Sequence, residues 1–164
     1  MNYRQATKKD FPKIVNFFKL NDSDFVPPLS KRAPSIEQLV EGLFNQGEKF
    51  ILLEKKGRIV GLLSFTQNPK SKSAHISYLV IHPSYRDKGL GRNLLSECFN
   101  LLIGTKTPKV IVETWSTNQK ALDLYDKKGF TIKEVFKDDR GKGLDTIVLE
   151  EPLEGINIRS CTKK

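Results

Sequence analysis

Residues 82–95 read HPSYRDKGLGRNLL, and their types suit one kind of chemistry, the holding of a negatively charged ligand. Gly89 and Gly91 stand one residue apart, where the apolar strand pattern SAHISYLVI gives way to a leucine-rich helical one. The first N–H groups of a helix have no intrahelical partner, and the helix dipole adds partial positive charge there. Glycines at 89 and 91 remove the Cβ atoms that would keep a phosphate from those amides, and they permit unusual φ values. Arg86, Lys88 and Arg92 add formal charge around the same point. A pyrophosphate suits such a mouth better than a carboxylate does, because two bridged phosphates occupy several amides at once. The plainer reading is a glycine-rich turn with a solvated basic rim.

Two pyrophosphate ligands compete. A dinucleotide fits the order of strand, glycines and helix, with Glu113 about twenty residues on as a ribose-binding acid. Three features oppose it. Leu94 stands where the third glycine of G-x-G-x-x-G belongs, residues 82–88 separate the strand from Gly89, and the unit follows an antiparallel hairpin rather than opening a parallel run. No G-x-x-x-x-G-K-[ST] pattern occurs, which disfavours a P-loop nucleotidase. Coenzyme A, the other candidate, stays open at this point.

The elements that must position these residues follow an α/β order. A short strand near residues 3–6 leads through Thr7, an N-cap candidate, into a helix over about 10–18, with Phe11, Ile14, Val15 and Phe18 on one face. Three prolines in 21–34 mark a loop. Ser35 and Gln38 form a capping box for a second helix, where Ile36, Leu39, Val40, Leu43 and Phe44 repeat at helical spacing. The run KFILLEKKGRIVGLLSFTQ predicts a hairpin turning at Gly57, and a third strand, SAHISYLVI, follows. A helix over about 90–102 carries Leu90, Leu94, Cys98 and Leu102 on one face. The strand KVIVETW is followed by a second capping box, Ser116 with Gln119, opening a helix over about 118–127 that stops at Gly129. FTIKEVF and DTIVLEE are the last strands, parted by the polar loop KDDRGKG. One α/β domain over 1–152, with a short polar tail at 153–164, accounts for this order.

Composition narrows the class. A chain of 164 residues with 38% hydrophobic and 29% charged residues can bury a substantial core. It has no run long and apolar enough to cross a membrane. The start lacks the apolar segment of a secretory signal, which points to the cytoplasm. Cys98 and Cys161 stand far apart without a C-x-x-C pair, so neither a disulfide framework nor a metal site is expected. The net charge of +9 is spread over the chain rather than gathered on one helix or arm, which disfavours a nucleic-acid platform.

YLVIHPSYRDKGLGRNLL resembles the coenzyme A-binding signature of the GNAT superfamily of N-acetyltransferases: an apolar strand, V-x-P, then R-x-x-G-x-G opening a helix. NQKALDLYDKKGF, at 118–130, is similar to the family's N-x-x-A-x-x-L-Y-x-x-x-G-F at the expected distance downstream. The order of strand, two helices and hairpin ahead of them is similar too, so the resemblance spans about residues 2–150. It implies the acyl-CoA N-acyltransferase fold, α/β (α+β), whose central mixed, mostly antiparallel sheet of six or seven strands is flanked by about four helices. It also implies that the pyrophosphate of acetyl-CoA rests on the turn Arg86, Asp87, Lys88, Gly89, Leu90, Gly91 and Arg92. The pantetheine arm then pairs like an extra strand with Leu79, Val80 and Ile81, one of whose amides acts as oxyanion donor.

The reaction so implied moves an acetyl group from acetyl-CoA to a primary amine by direct attack in a ternary complex. The amine must lose a proton before attack, and the departing thiolate must gain one. Tyr125 stands at the family's tyrosine and is the implied general acid, since a phenol keeps its proton at neutral pH. Packing against the sheet is its plainer role. Asn118 shares a helix face with Tyr125 and is implied to reach the cofactor sulfur, a role compatible with capping the helix.

Two residues compete as base. His75, six residues before Ile81 and on that count on the same strand face, stands where some branches carry a glutamate. Glu113, at the end of its strand, is the second candidate, and a water chain without a dedicated base is the third. A structural histidine and a surface carboxylate are the plainer readings. Asp22, Asp24 and Phe25 sit where relatives build acceptor specificity, and Trp115 either lines the acceptor cleft or packs. His82 is assigned to the loop and Cys98 to the core. A non-catalytic coenzyme A-binding regulator would keep residues 86–92 without needing Tyr125. The expected partners are acetyl-CoA and an amine acceptor, with pairing into a homodimer a habit of the family.

Overall fold

The structure, a computed structural model, describes residues 1–153; the expected polar tail, apart from Leu153, lies outside the described residues. The chain runs β1 (Asn2–Gln5), α1 (Phe11–Leu20), α2 (Ile36–Asn45), β2 (Lys49–Lys55), β3 (Arg58–Asn68), β4 (Ser73–Ile81), α3 (Leu90–Leu102), β5 (Lys109–Trp115), α4 (Gln119–Asp126), β6 (Thr131–Phe136) and β7 (Thr146–Pro152). The strands form one seven-stranded sheet in the order β1-β2-β3-β4-β5-β7-β6. Neighbours are antiparallel except β4 and β5, which run parallel. Strand number, mixed pairing and four flanking helices agree with the sequence reading.

Helices cover both sides of the central strands, which explains why β2 and β3 read as nearly continuous apolar runs. On one side α3 buries Leu90, Leu94, Leu95, Cys98, Phe99 and Leu102 against Ile51, Leu63, Phe65 and Ile76. On the other, Ile14, Phe17 and Phe18 of α1 and Val40 of α2 pack on Phe50, Leu52, Leu62 and Val80. Each such side chain removed from water is worth about 1.5–3 kcal/mol. The hairpin turn uses positive φ at both Lys56 (50°) and Gly57 (73°), the geometry that matches strand twist in a two-residue loop.

Local signals held in part. Ser35 caps α2, its Oγ accepting from Gln38 N at 3.1 Å. Thr7 precedes a 3₁₀ turn, Lys8–Asp10, that feeds α1. The second capping box does not form. Ser116 Oγ instead accepts from Asp145 N at 3.0 Å, because β7 returns beside β5 and offers that amide, and Asn118 becomes the N-cap residue of α4. The loop at 21–34 holds two 3₁₀ turns, Asp22–Asp24 and Leu29–Lys31.

The strongest departure is in β4. Ser64 pairs with Tyr78 but Phe65 pairs with Ile76, leaving Ser77 as an extra residue, a β-bulge. Before it, Ala74 and Ile76 face the α3 core; after it, Leu79 and Ile81 do, while Tyr78 and Val80 turn to the α1/α2 core. Counting by twos across the bulge therefore fails. His75 lies on the α1/α2 side, opposite Ile81, and the expectation that they share a face is corrected.

Two contacts fix the frame around the site. Gly61 lets α3 approach the sheet, since a Cβ there would meet Ile81 Cδ1 at 2.8 Å and Leu94 Cδ1 at 3.2 Å. Arg4 grips Asp10 through two bonds of 2.9 and 2.7 Å and Glu54 through two of 2.9 Å, tying β1, the start of α1 and β2 together. Arg4 holds the Asp10 carboxyl far below the usual carboxylate range.

Gly61→Ala is expected to lower stability by about 1–3 kcal/mol through overpacking, read as a reduced urea midpoint with an unchanged m-value. Because the folded-state value of Asp10 is depressed, its contribution is complete above the unfolded carboxylate range of about 4 and is lost as pH falls below it. Asp10→Asn should flatten that part of the acid limb in a stability–pH series.

Candidate active site

The parallel pairing of β4 with β5 runs only from Ser73↔Lys109 to Ile76↔Val112. Beyond it the two strands part, β4 continuing to Ile81 and β5 to Trp115. The bulge at Ser77 sits where they separate. A cavity of about 470 Å³ opens along the gap, from Gly89, Leu90, Gly91 and Arg92 past Leu79, Val80 and Ile81 to His75, Glu113 and Trp115. His82 N donates to Val60 O at 3.0 Å, so alternation points the amides of Leu79 and Ile81 away from β3 and toward the gap.

The glycine turn lies at one end of the cavity. Gly89 has φ +71° and is the N-cap residue of α3, and Asp87 also has positive φ, 59°. The amides of 87–92 make no hydrogen bond among the described residues, the first spent N–H beyond them being that of Asn93, which donates to Gly89 O. Six unpaired donors at the mouth of a thirteen-residue helix are able to receive an anion. The two glycines serve different ends. Gly89 supplies backbone conformation, for a Cβ there meets nothing, whereas a Cβ on Gly91 would sit 3.3 Å from Leu124 Cδ2 and press α3 off α4.

The basic residues divide. Arg86 is tied down rather than presented: its amide donates to Pro83 O, its Nε donates to Ile81 O at 2.8 Å, and its guanidinium pairs with Asp24. Lys88 Nζ donates to Ser84 O at 3.2 Å, and Asp87 pairs with Lys120 at 3.0 Å on the surface. Arg92 is exposed at the cavity wall. Asp22 accepts from Ser30 N and Oγ, so neither acid of the first loop is left for a cationic acceptor.

Tyr125, on α4, is 5% exposed and lines the cavity. Its ring lies 5.3 Å from that of Phe130, so it both packs and faces the gap. Its hydroxyl makes no hydrogen bond among the described residues, and burial pushes the phenol well above its ordinary value, keeping it protonated. Asn118 lines the same wall, its Nδ2 donating to Thr114 Oγ1 at 3.1 Å rather than capping α4.

Although the bulge turns it from Ile81, His75 reaches the cavity beside β5. Its Nε2 stands 3.6 Å from Glu113 Oε1, and that neighbour holds the Glu113 carboxyl below its usual range. The two base candidates are thus one pair. Cys98 is fully buried, with its thiol pushed up to about 12, and His82 Nδ1 accepts from Ser84 N in the loop.

Sequence reasoning missed Arg32 and Arg140, which also line the cavity. Each sits in a polar loop with no local pattern, and only the return of β7 beside β5 brings them together. It also missed Glu48, which is 6% exposed with Oε1 unbonded; burial raises its carboxyl against the opposing pull of Ser77, Ser64 and His75.

Residues 14–130 match the acetyltransferase (GNAT) family. UPF0157 protein YqkA of Bacillus subtilis (strain 168) is 31% identical over 108 residues, which are 66% of this chain and 30% of that protein. The chain thus spans under a third of the length of that curated relative. Among solved structures, the Escherichia coli ribosomal-protein-S18-alanine N-acetyltransferase superposes with a TM-score of 0.78 at 18% identity, covering 96% of each chain. Salmonella typhimurium yncA, solved with its cofactor acetyl-CoA, gives 0.77 at 21% identity, covering 94% of each. These likenesses establish the fold. With the family match covering most of its length, the chain belongs to the GNAT acetyltransferase family.

Proposed function

We propose that this protein transfers the acetyl group of acetyl-CoA to a primary amine. The observation that carries the reading is one cleft lined both by the turn with the unpaired amides of 87–92 and by Tyr125, whose hydroxyl is unbonded. The residues fit the donor: six free amides and Arg92 for the pyrophosphate, and the gap-facing amides of Leu79 and Ile81 for an extended pantetheine arm. When bound, acetyl-CoA supplies the activated acyl carbonyl.

The chain's own groups do the rest. A Leu79 or Ile81 N–H, fixed by the sheet, meets negative charge developing on the carbonyl oxygen without reorganising. The Glu113 carboxylate receives the acceptor's ammonium, and His75, beside it, takes the proton that must leave before attack. The imidazolium so formed is stabilised by the carboxylate 3.6 Å away. Tyr125, kept protonated by burial, donates to the departing sulfur. The dispersed positive surface draws an anionic donor inward.

The direct test is thiol release from acetyl-CoA across a panel of amines. Tyr125→Phe should lower kcat by about 10²–10⁴-fold, while calorimetry finds acetyl-CoA affinity within about twofold of the parent; unchanged turnover would remove the acid role. His75→Gln and Glu113→Gln should each lower kcat/KM by about 10²-fold or more. Unchanged turnover in His75→Gln would assign the proton to water instead.

A further inference from the structure

The cleft carries two cations that the donor turn does not explain. Arg32, between α1 and α2, and Arg140, between β6 and β7, line the same cavity as Glu113 and Trp115. Arg32 Nε donates to Pro27 O at 3.0 Å, and its guanidinium lies 5.5 Å over the Phe25 ring. Arg140 donates to the adjacent carbonyl, Val26 O, and to Thr146 Oγ1 at 3.0 Å, and lies 5.6 Å over the Trp115 ring. Consecutive carbonyls of one loop therefore hold both groups.

Every one of these anchors is neutral. They fix the planar cations without cancelling their charge, and neither arginine has a carboxylate within 4.0 Å among the described residues. Burial, and then the positive charge of Arg32, push Arg140 below its ordinary value, an effect that Glu113 and Asp139 only partly offset. Two like charges held on one cavity, Arg32 exposed and Arg140 half-buried, repel in the free protein and are relieved by an oxyanion between them. Glu113 supplies the opposite sign in the same cleft.

We infer that the acceptor is a primary amine that also carries a carboxylate or phosphate, gripped by Arg32 and Arg140 while its amino group meets Glu113 and His75. This rests on the acetyltransferase reading and names its substrate class. It agrees with the closure of Asp22 and Asp24 to cationic acceptors.

Matched acceptors test it: α-amino acids against their carboxamides, and phosphoethanolamine against ethanolamine. The anionic member of at least one pair should be acetylated with a kcat/KM at least about 10-fold higher, a difference equivalent to about 1.4 kcal/mol. The pair that shows it identifies carboxylate or phosphate. Arg32→Met should abolish that preference by raising acceptor KM rather than lowering kcat, with KM for acetyl-CoA nearly unmoved. Equal rates within both pairs, or an Arg32→Met effect on acetyl-CoA alone, would overturn the inference.

Binding gives an independent readout, because Trp115 is the single tryptophan and stacks on Arg140. Inorganic phosphate at constant ionic strength should change its fluorescence saturably, and Arg32→Met should weaken that response. A linear or variant-insensitive response overturns the anion site. A saturable, variant-sensitive response with no acetyl transfer to any amine supports the site and sinks the acetyltransferase reading instead.

Discussion

Parallel strands that begin paired and then separate leave main-chain donors and acceptors facing each other across a gap too wide to bond. That is the state of β4 and β5 after Ile76 and Val112, and the rest of the site is arranged around it. Unpaired backbone inside a sheet is unfavourable unless something extended can complete the ladder. The bulge at Ser77 adds local twist at the point of separation and hands Tyr78 and Val80 to the opposite core. One inserted residue thus both opens the cleft and decides which side chains look into it.

Electrostatics then divide the cleft by function. At the α3 end the attraction for anions is carried by backbone, while the nearby Arg86 is spent on Ile81 and Asp24 and Lys88 on Ser84. Main-chain donors cannot be reoriented by solvent or shed their charge, which suits a site for one unvarying anionic ligand. At the other end the charges belong to side chains from four separate segments, His75 and Glu113 on two strands and Arg32 and Arg140 on two loops. Side chains on loops change readily without disturbing the sheet, which is where specificity for varied acceptors is expected to reside.

The legible parts of the sequence were those governed by local rules. The leucine spacing of α3, the glycine turn, the Gly57 hairpin and the Ser35 cap all depend on residues within a few positions of one another. Where distant segments compete, local reading failed. Ser116 had the pattern of a helix cap, but β7 brought the Asp145 amide to it first. His75 was assigned to the wrong face because alternation by twos assumes an unbroken pleat, and nothing in SAHISYLVI marks Ser77 as the extra residue. Arg140 had no signal at all, since its meaning comes from Trp115, Val26 and Thr146, none of them its sequence neighbour.

Gly91 links the two halves of the machinery. Its missing side chain admits Leu124 to the surface of α3, and Tyr125 is the next residue along α4. The depth at which the phenol sits is therefore set by the same position that helps shape the turn. The glycine turn and the buried phenol are mechanically one part, so drift at this glycine would be registered in both, and neither motif is free to evolve alone.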